Sequence, residues 1–112
     1  MSVSHAQPGE AIGVLPAAGS ANESKSVTLI KTATLEVIRL VVPAGKQLAQ
    51  HRVPGEIMLQ CLAGSATLDT DEGKCELTAG ELTHLAGGQE HSLNAKEDSI
   101  LLLTILLAPK GA

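Results

Sequence analysis

The sequence contains no phenylalanine, tyrosine or tryptophan. That excludes base stacking on aromatic platforms, aromatic cages for cationic ligands and ring-to-ring sugar contacts. It also lacks any cluster of Lys or Arg, and its formal net charge is -4. Neither a nucleic acid nor an anionic membrane surface is therefore an expected partner. The longest apolar run, "ILLLTILLA" from Ile100 to Ala108, is too short to span a bilayer, and the N-terminus has no basic segment ahead of an apolar one. A soluble, cytoplasmic protein is expected. Cysteine is scarce: Cys61 and Cys75 stand alone without C-x-x-C spacing, and are expected to remain reduced as small hydrophobes. No window holds a helical period long enough to predict a helix.

What the chain does contain is aliphatic. Hydrophobic residues make up 44% of its 112 residues, so the core of one compact domain is built from Leu, Val, Ile, Ala and Met. Residues 1–25, rich in Gly, Ala, Ser and Pro, read as an N-terminal arm, with "AIGVL" as a short strand available for exchange between two copies. From Ser26 onwards the pattern changes to short segments separated by turn residues. "SVTLIKT", "TLEVIRLVV", "QLAQHRV", "EIMLQCLAG", "SATLDT", "KCELT", "ELTHLA", "EHSLNA" and the final apolar run predict about nine strands. Their spacing is that of an all-β sandwich or barrel over residues 26–108, followed by a tail at 109–112. In "TLEVIRLVV" both strand faces are mostly apolar, which predicts a strand lying between two layers.

Two histidines follow glycine turns at comparable distances: His51 six residues after Gly45, and His91 eleven after Gly80. A barrel can bring such positions together inside its mouth. The first stretch resembles the first motif of the cupin superfamily, which runs glycine, five residues, His-x-His, three or four residues, a carboxylate, six residues, glycine. Gly45, His51 and Gly64 match it. The second cupin motif is glycine, five residues, Pro-x-Gly, two residues, His, three residues, Asn. Gly80, Gly88 and His91 match it, while Ala86 stands in place of the proline and Asn94 lies one position early. The likeness covers roughly residues 26 to 108.

This resemblance implies a double-stranded β-helix, a jelly-roll barrel with a pocket at one end and little or no helix. Metal-binding cupins hold their ion with three histidines and a glutamate from these motifs. Here Val53 occupies the second histidine position, and counting back from Gly64 puts Ile57 at the carboxylate. His51 and His91 remain as metal ligands for Zn, Fe, Mn or Ni, a poor set unless Glu56 or His84 joins them. Glu56 is one residue out of register with the carboxylate position, so alternation directs it away from the pocket unless a bulge at Pro54-Gly55 intervenes. The expected pocket is small and aliphatic, lined by His51, Val53, Ile57, Leu59 and His91. Arg39, on an otherwise apolar strand face, is expected at a strand edge, paired with a nearby Glu or reaching solvent.

Three functions remain open at this point. The first is a binding or sensing barrel for a small molecule, with an incomplete metal site and no catalysis required. The second is an enzyme, a metal-dependent oxygenase or isomerase using His51 and His91, or a metal-free isomerase using either as a base. The third is a structural dimerisation module, for which the apolar strands and the arm predict a homodimer.

Overall fold

The computed structural model describes residues 5–16 and 26–107, with the side chains of Gln50 and His51 outside the described set. Nine strands are present among the described residues: β1 Val27–Lys31, β2 Leu35–Val42, β3 Gln47–His51, β4 Ile57–Ala63, β5 Ser65–Thr70, β6 Gly73–Thr78, β7 Leu82–Leu85, β8 His91–Ala95 and β9 Ser99–Leu106. No helix occurs among them, and so none long and apolar enough to cross a membrane. Parts of the predicted arm (1–4 and 17–25) and the predicted tail (109–112) lie outside the described residues. "AIGVL" lies within them and forms no strand; its Val14 and Leu15 are exposed.

The strands form two antiparallel sheets, one of five strands in the order β1-β2-β9-β4-β7 and one of four in the order β3-β8-β5-β6. Period-two alternation explains which side chains go inward. In β5, Ala66 and Leu68 are buried while Ser65, Thr67 and Asp69 are not; in β8, His91, Leu93 and Ala95 are buried while Ser92 and Asn94 are not. The facing sheet contributes Val42, Ile57, Leu59, Cys61 and Leu101, so that the core is one continuous aliphatic layer. Cys61 fills this layer with no exposed surface, as expected of a small hydrophobe, and burial pushes its thiol pKa up.

The turns are set by glycine where the backbone demands it. Gly45 has φ 82° and Gly80 φ 94°, the left-handed region that a side chain rarely enters. Gly55 and Gly87 serve a different purpose, because neither has positive φ. A Cβ on Gly55 would fall on the Leu106 carbonyl oxygen and 2.9 Å from its carbon, and one on Gly87 would meet the Pro54 carbonyl. The segment joining β3 to β4 is thus gripped between the end of β9 and the Gly87-Gly88 turn, where the Gly88 N–H donates to the Val53 carbonyl at 2.7 Å. This bond takes Val53 out of the ladder, and β3 ends at His51, earlier than the predicted "QLAQHRV".

One prediction is corrected. β2 does not lie between two layers: Leu40 and Val42 face the core, while Val37 and Val41 sit half-buried on the outside of the five-stranded sheet.

Candidate functional site

Between the two sheets lies a cavity of about 110 Å³. Leu40, Ile57, Leu59 and Leu103 form its wall on the five-stranded side, and Leu48, Leu68, His91 and Leu93 close it from the other. Seven of these eight side chains are aliphatic, so His91 is the only polar group in the lining among the described residues. It is inward because it occupies the same alternating face of β8 as Leu93 and Ala95, and it is 7% exposed.

The ring of His91 has a fixed orientation. Its Nδ1 lies 3.1 Å from the backbone carbonyl of Gln89. Since a carbonyl can only accept, Nδ1 carries the hydrogen. The same device orients histidines in metal and catalytic sites. His51 stands directly opposite His91 in the β3–β8 register, just after an irregularity that follows Leu48. The backbone therefore makes cross-strand neighbours of the single histidines left from each motif.

The other predicted site residues fall in three places. Ile57 and Leu59 line the cavity. Val53 is half-buried and packs against the same core, but it is not part of the cavity wall. Glu56 and His84 are brought together with each other rather than with His91: His84 Nε2 lies 3.9 Å from Glu56 Oε1, with both side chains 60% exposed on the outer face of the sheet. The bend at Pro54-Gly55 does not turn Glu56 inward. Beside the histidine pair, Arg52 and Glu90 form an exposed ion pair at 3.5 Å, an arrangement that contributes little to stability.

A centre of three histidines and a carboxylate is not what these residues make. Val53 and Ile57 offer only carbon at two of the four positions, and no group of three metal-binding side chains occurs among the described residues. The wall residues absent from the predicted pocket, Leu40, Leu48, Leu68, Leu93 and Leu103, carry no signal of their own. Each reads as ordinary core, and only the sheet order shows which of them enclose a void.

This two-sheet barrel with its internal cavity is the cupin fold. No family model matches the sequence, and no curated protein matches it; the likeness is structural. A conserved protein of unknown function from Streptococcus pyogenes superposes with a TM-score of 0.76 at 22% identity, covering 96% of this chain and 98% of that one. A cupin superfamily protein from Desulfitobacterium hafniense gives a TM-score of 0.72 at 17% identity, over 74% of this chain and 76% of its own. A cupin domain from Bordetella pertussis gives 0.61 at 22% identity, over 74% and 92% respectively.

Proposed function

We propose that the barrel is a cytoplasmic binding or sensing module that takes up a small, largely apolar molecule with one hydrogen-bonding group, and releases it unchanged. The observation that carries this reading is the cavity itself: seven of its eight described lining residues are aliphatic, and the eighth is an imidazole whose ring is held by the Gln89 carbonyl. At about 110 Å³ the space suits a ligand of benzene's size, since a cavity of about 150 Å³ takes up benzene. With about six or seven non-hydrogen atoms and a single polar contact, affinities in the high micromolar to millimolar range are expected for simple probes. An imidazole in the lining favours a hydroxyl over a purely apolar edge. The two thiols, kept apart as Cys61 and Cys75, suit a reducing compartment.

Phenol and benzene make a matched pair of probes. Ligand-observed NMR should show phenol binding more tightly than benzene to the wild-type protein, and a His91→Leu variant should remove or reverse that preference while remaining folded. Equal binding of the two probes by wild type, or binding of neither, would overturn the reading.

A second reading is favoured by one observation, the opposition of His51 and His91 in the β3–β8 register. Two histidines at one register position are the set with which a metal-dependent oxygenase or isomerase would work. Elemental analysis of protein purified without chelators, set beside a His51→Ala, His91→Ala double variant, separates the two. Near-stoichiometric metal that is lost in the variant supports the enzyme and counts against the binding module.

A further inference from the structure

Three connections meet at the end of the barrel where β8 begins. Thr70, the last residue of β5, is the cross-strand partner of His91, so the β5–β6 turn starts beside the histidine. The β7–β8 connection leads directly into His91, and its Gly88 N–H donates to the Val53 carbonyl of the β3–β4 connection.

Gln89 holds the β7–β8 connection in shape. Residues 86–89 form a β-turn in which the Gln89 N–H donates to the Ala86 carbonyl at 3.2 Å, with Gly88 at the third position and φ 78°, as a type II turn requires. The side chain closes the same turn a second time, since the Ala86 N–H donates to Gln89 Oε1 at 3.0 Å. The other end of the carboxamide is also engaged. Gln89 Nε2 donates to Asp71 Oδ1 at 3.4 Å, and the turn carrying Asp71 is itself fixed by the Thr70 hydroxyl, which accepts from the Glu72 N–H at 3.1 Å and donates to the Gly73 carbonyl at 3.2 Å. A carboxamide suits this place because it carries an acceptor and a donor on one planar group. A carboxylate offers acceptors only, and an aliphatic side chain offers neither.

The turn reaches the cavity through one atom. The Gln89 carbonyl accepts from His91 Nδ1 at 3.1 Å, so a fixed backbone at residue 89 fixes the ring two residues further on. The chain of bonds therefore runs inward, from exposed Asp71 through half-buried Gln89 to buried His91. Neither Asp71 nor Gln89 is among the residues that line the cavity.

We propose that Gln89 and Asp71 are positioning residues for the imidazole in the cavity wall, and that their bond sets how well the pocket separates a hydroxyl-bearing ligand from an apolar one. The ligand half of this statement rests on the binding-module reading; the half that concerns the ring does not.

Exchanging donor and acceptor across the bond tests it. Gln89→Glu keeps an acceptor for the Ala86 N–H but faces Asp71 with a second carboxylate, whereas Gln89→Glu combined with Asp71→Asn restores one donor and one acceptor at unchanged net charge. In ligand-free protein, nitrogen-15 NMR follows the Nδ1 hydrogen of His91, assigned by its loss in His91→Leu. Its exchange with water should be about tenfold faster in Gln89→Glu and in Gln89→Ala than in wild type, and should return close to the wild-type rate in the double variant. Phenol's advantage over benzene should fall about threefold to tenfold in the single variants and recover in the double one, while the affinity for benzene stays within about twofold throughout. A merely structural role would weaken both probes alike. Asp71→Ala leaves the 86–89 turn untouched and should also speed the exchange, which keeps the test valid if a Gln89 variant fails to fold. Wild-type exchange rates in the single variants, or a double variant no better than Gln89→Glu, would overturn the proposal. Exchange rates that behave as stated in a protein with no preference for phenol would strike the binding-module reading and leave the positioning of the ring standing.

Discussion

Replacing Gly55 by alanine should cost far more than replacing Gly45, although Gly45 is the one with the unusual backbone. At Gly45 the penalty is conformational: φ is 82°, but nothing lies within 4 Å of an added Cβ. Placing alanine in the left-handed region costs about 1 to 2 kcal/mol, and the loss of unfolded-state freedom returns about 0.4 to 1. A net loss near 1 kcal/mol follows. At Gly55 the penalty is steric and falls on backbone. The added carbon would overlap the Leu106 carbonyl oxygen and lie 2.9 Å from its carbon, and neither atom can rotate away as a side chain would.

Separating these strands also threatens the bond from the Leu106 N–H to the Glu56 carbonyl, now 3.0 Å long. Overpacking costs about 1 to 3 kcal/mol, with the upper end appropriate to a rigid obstacle, and loss of the bond adds about 1. The expected total is about 3 to 4 kcal/mol. For 112 residues the unfolding entropy makes 1 kcal/mol worth about 4 °C. Gly55→Ala should therefore melt about 12 to 16 °C below wild type, and Gly45→Ala about 4 °C below, by calorimetry at neutral pH. A Gly55→Ala protein that melts as high as Gly45→Ala would refute the close-approach account of the β3–β4 connection.

Two further perturbations read other parts of the frame. Ser99 is 2% exposed; its hydroxyl accepts from the Ser65 N–H at 3.0 Å and donates to the Glu97 carbonyl at 2.7 Å, so Ser99→Ala leaves a half-buried donor without a partner and should lower the melting temperature by about 4 to 8 °C. A Ser99→Ala protein as stable as wild type would mean that water replaces the hydroxyl. Glu81 accepts from both the N–H and the hydroxyl of Thr78, which holds its carboxyl below the usual value of 4.5. A depressed folded-state pKa gives stability that is present above the unfolded value and lost as pH falls through the folded one. The gap in melting temperature between wild type and Glu81→Gln should accordingly be open at neutral pH and close below 4.5; a gap that persists unchanged in acid would contradict this.

The strands were legible in the sequence because one physical rule wrote them. Each is a short run dense in apolar or β-branched residues that ends at turn residues, and all nine occur at those runs, β3 ending earlier than its run. The inward position of His91 was expected from its match to the second cupin motif, and the strand's alternation explains it. What alternation could not show was which inward residues meet across the barrel. Leu40 and Leu68 look like any core leucine, and they bound a cavity only because β2 and β5 belong to opposing sheets. The role of Gly55 was hidden for the same reason, since its neighbour Leu106 lies at the far end of the chain. Arg39 was expected to pair with a nearby Glu or reach solvent, and it is 9% exposed. The structure differs because Glu36, three residues earlier, belongs to the opposite strand face and is already bonded to Thr28 and Lys31.

The replaced motif positions make sense as packing. Ile57 is 3% exposed and forms part of the cavity wall, so a carboxylate in its place would be buried among leucines. Without a cation beside it, that charge would cost several kcal/mol or be held neutral. Isoleucine at 57 instead fits the aliphatic wall. His91 escapes this pressure because its Nδ1 is satisfied by the Gln89 carbonyl at the start of β8. Its orientation consequently has a structural cause independent of any metal. The same bond orients the imidazole in the cavity wall.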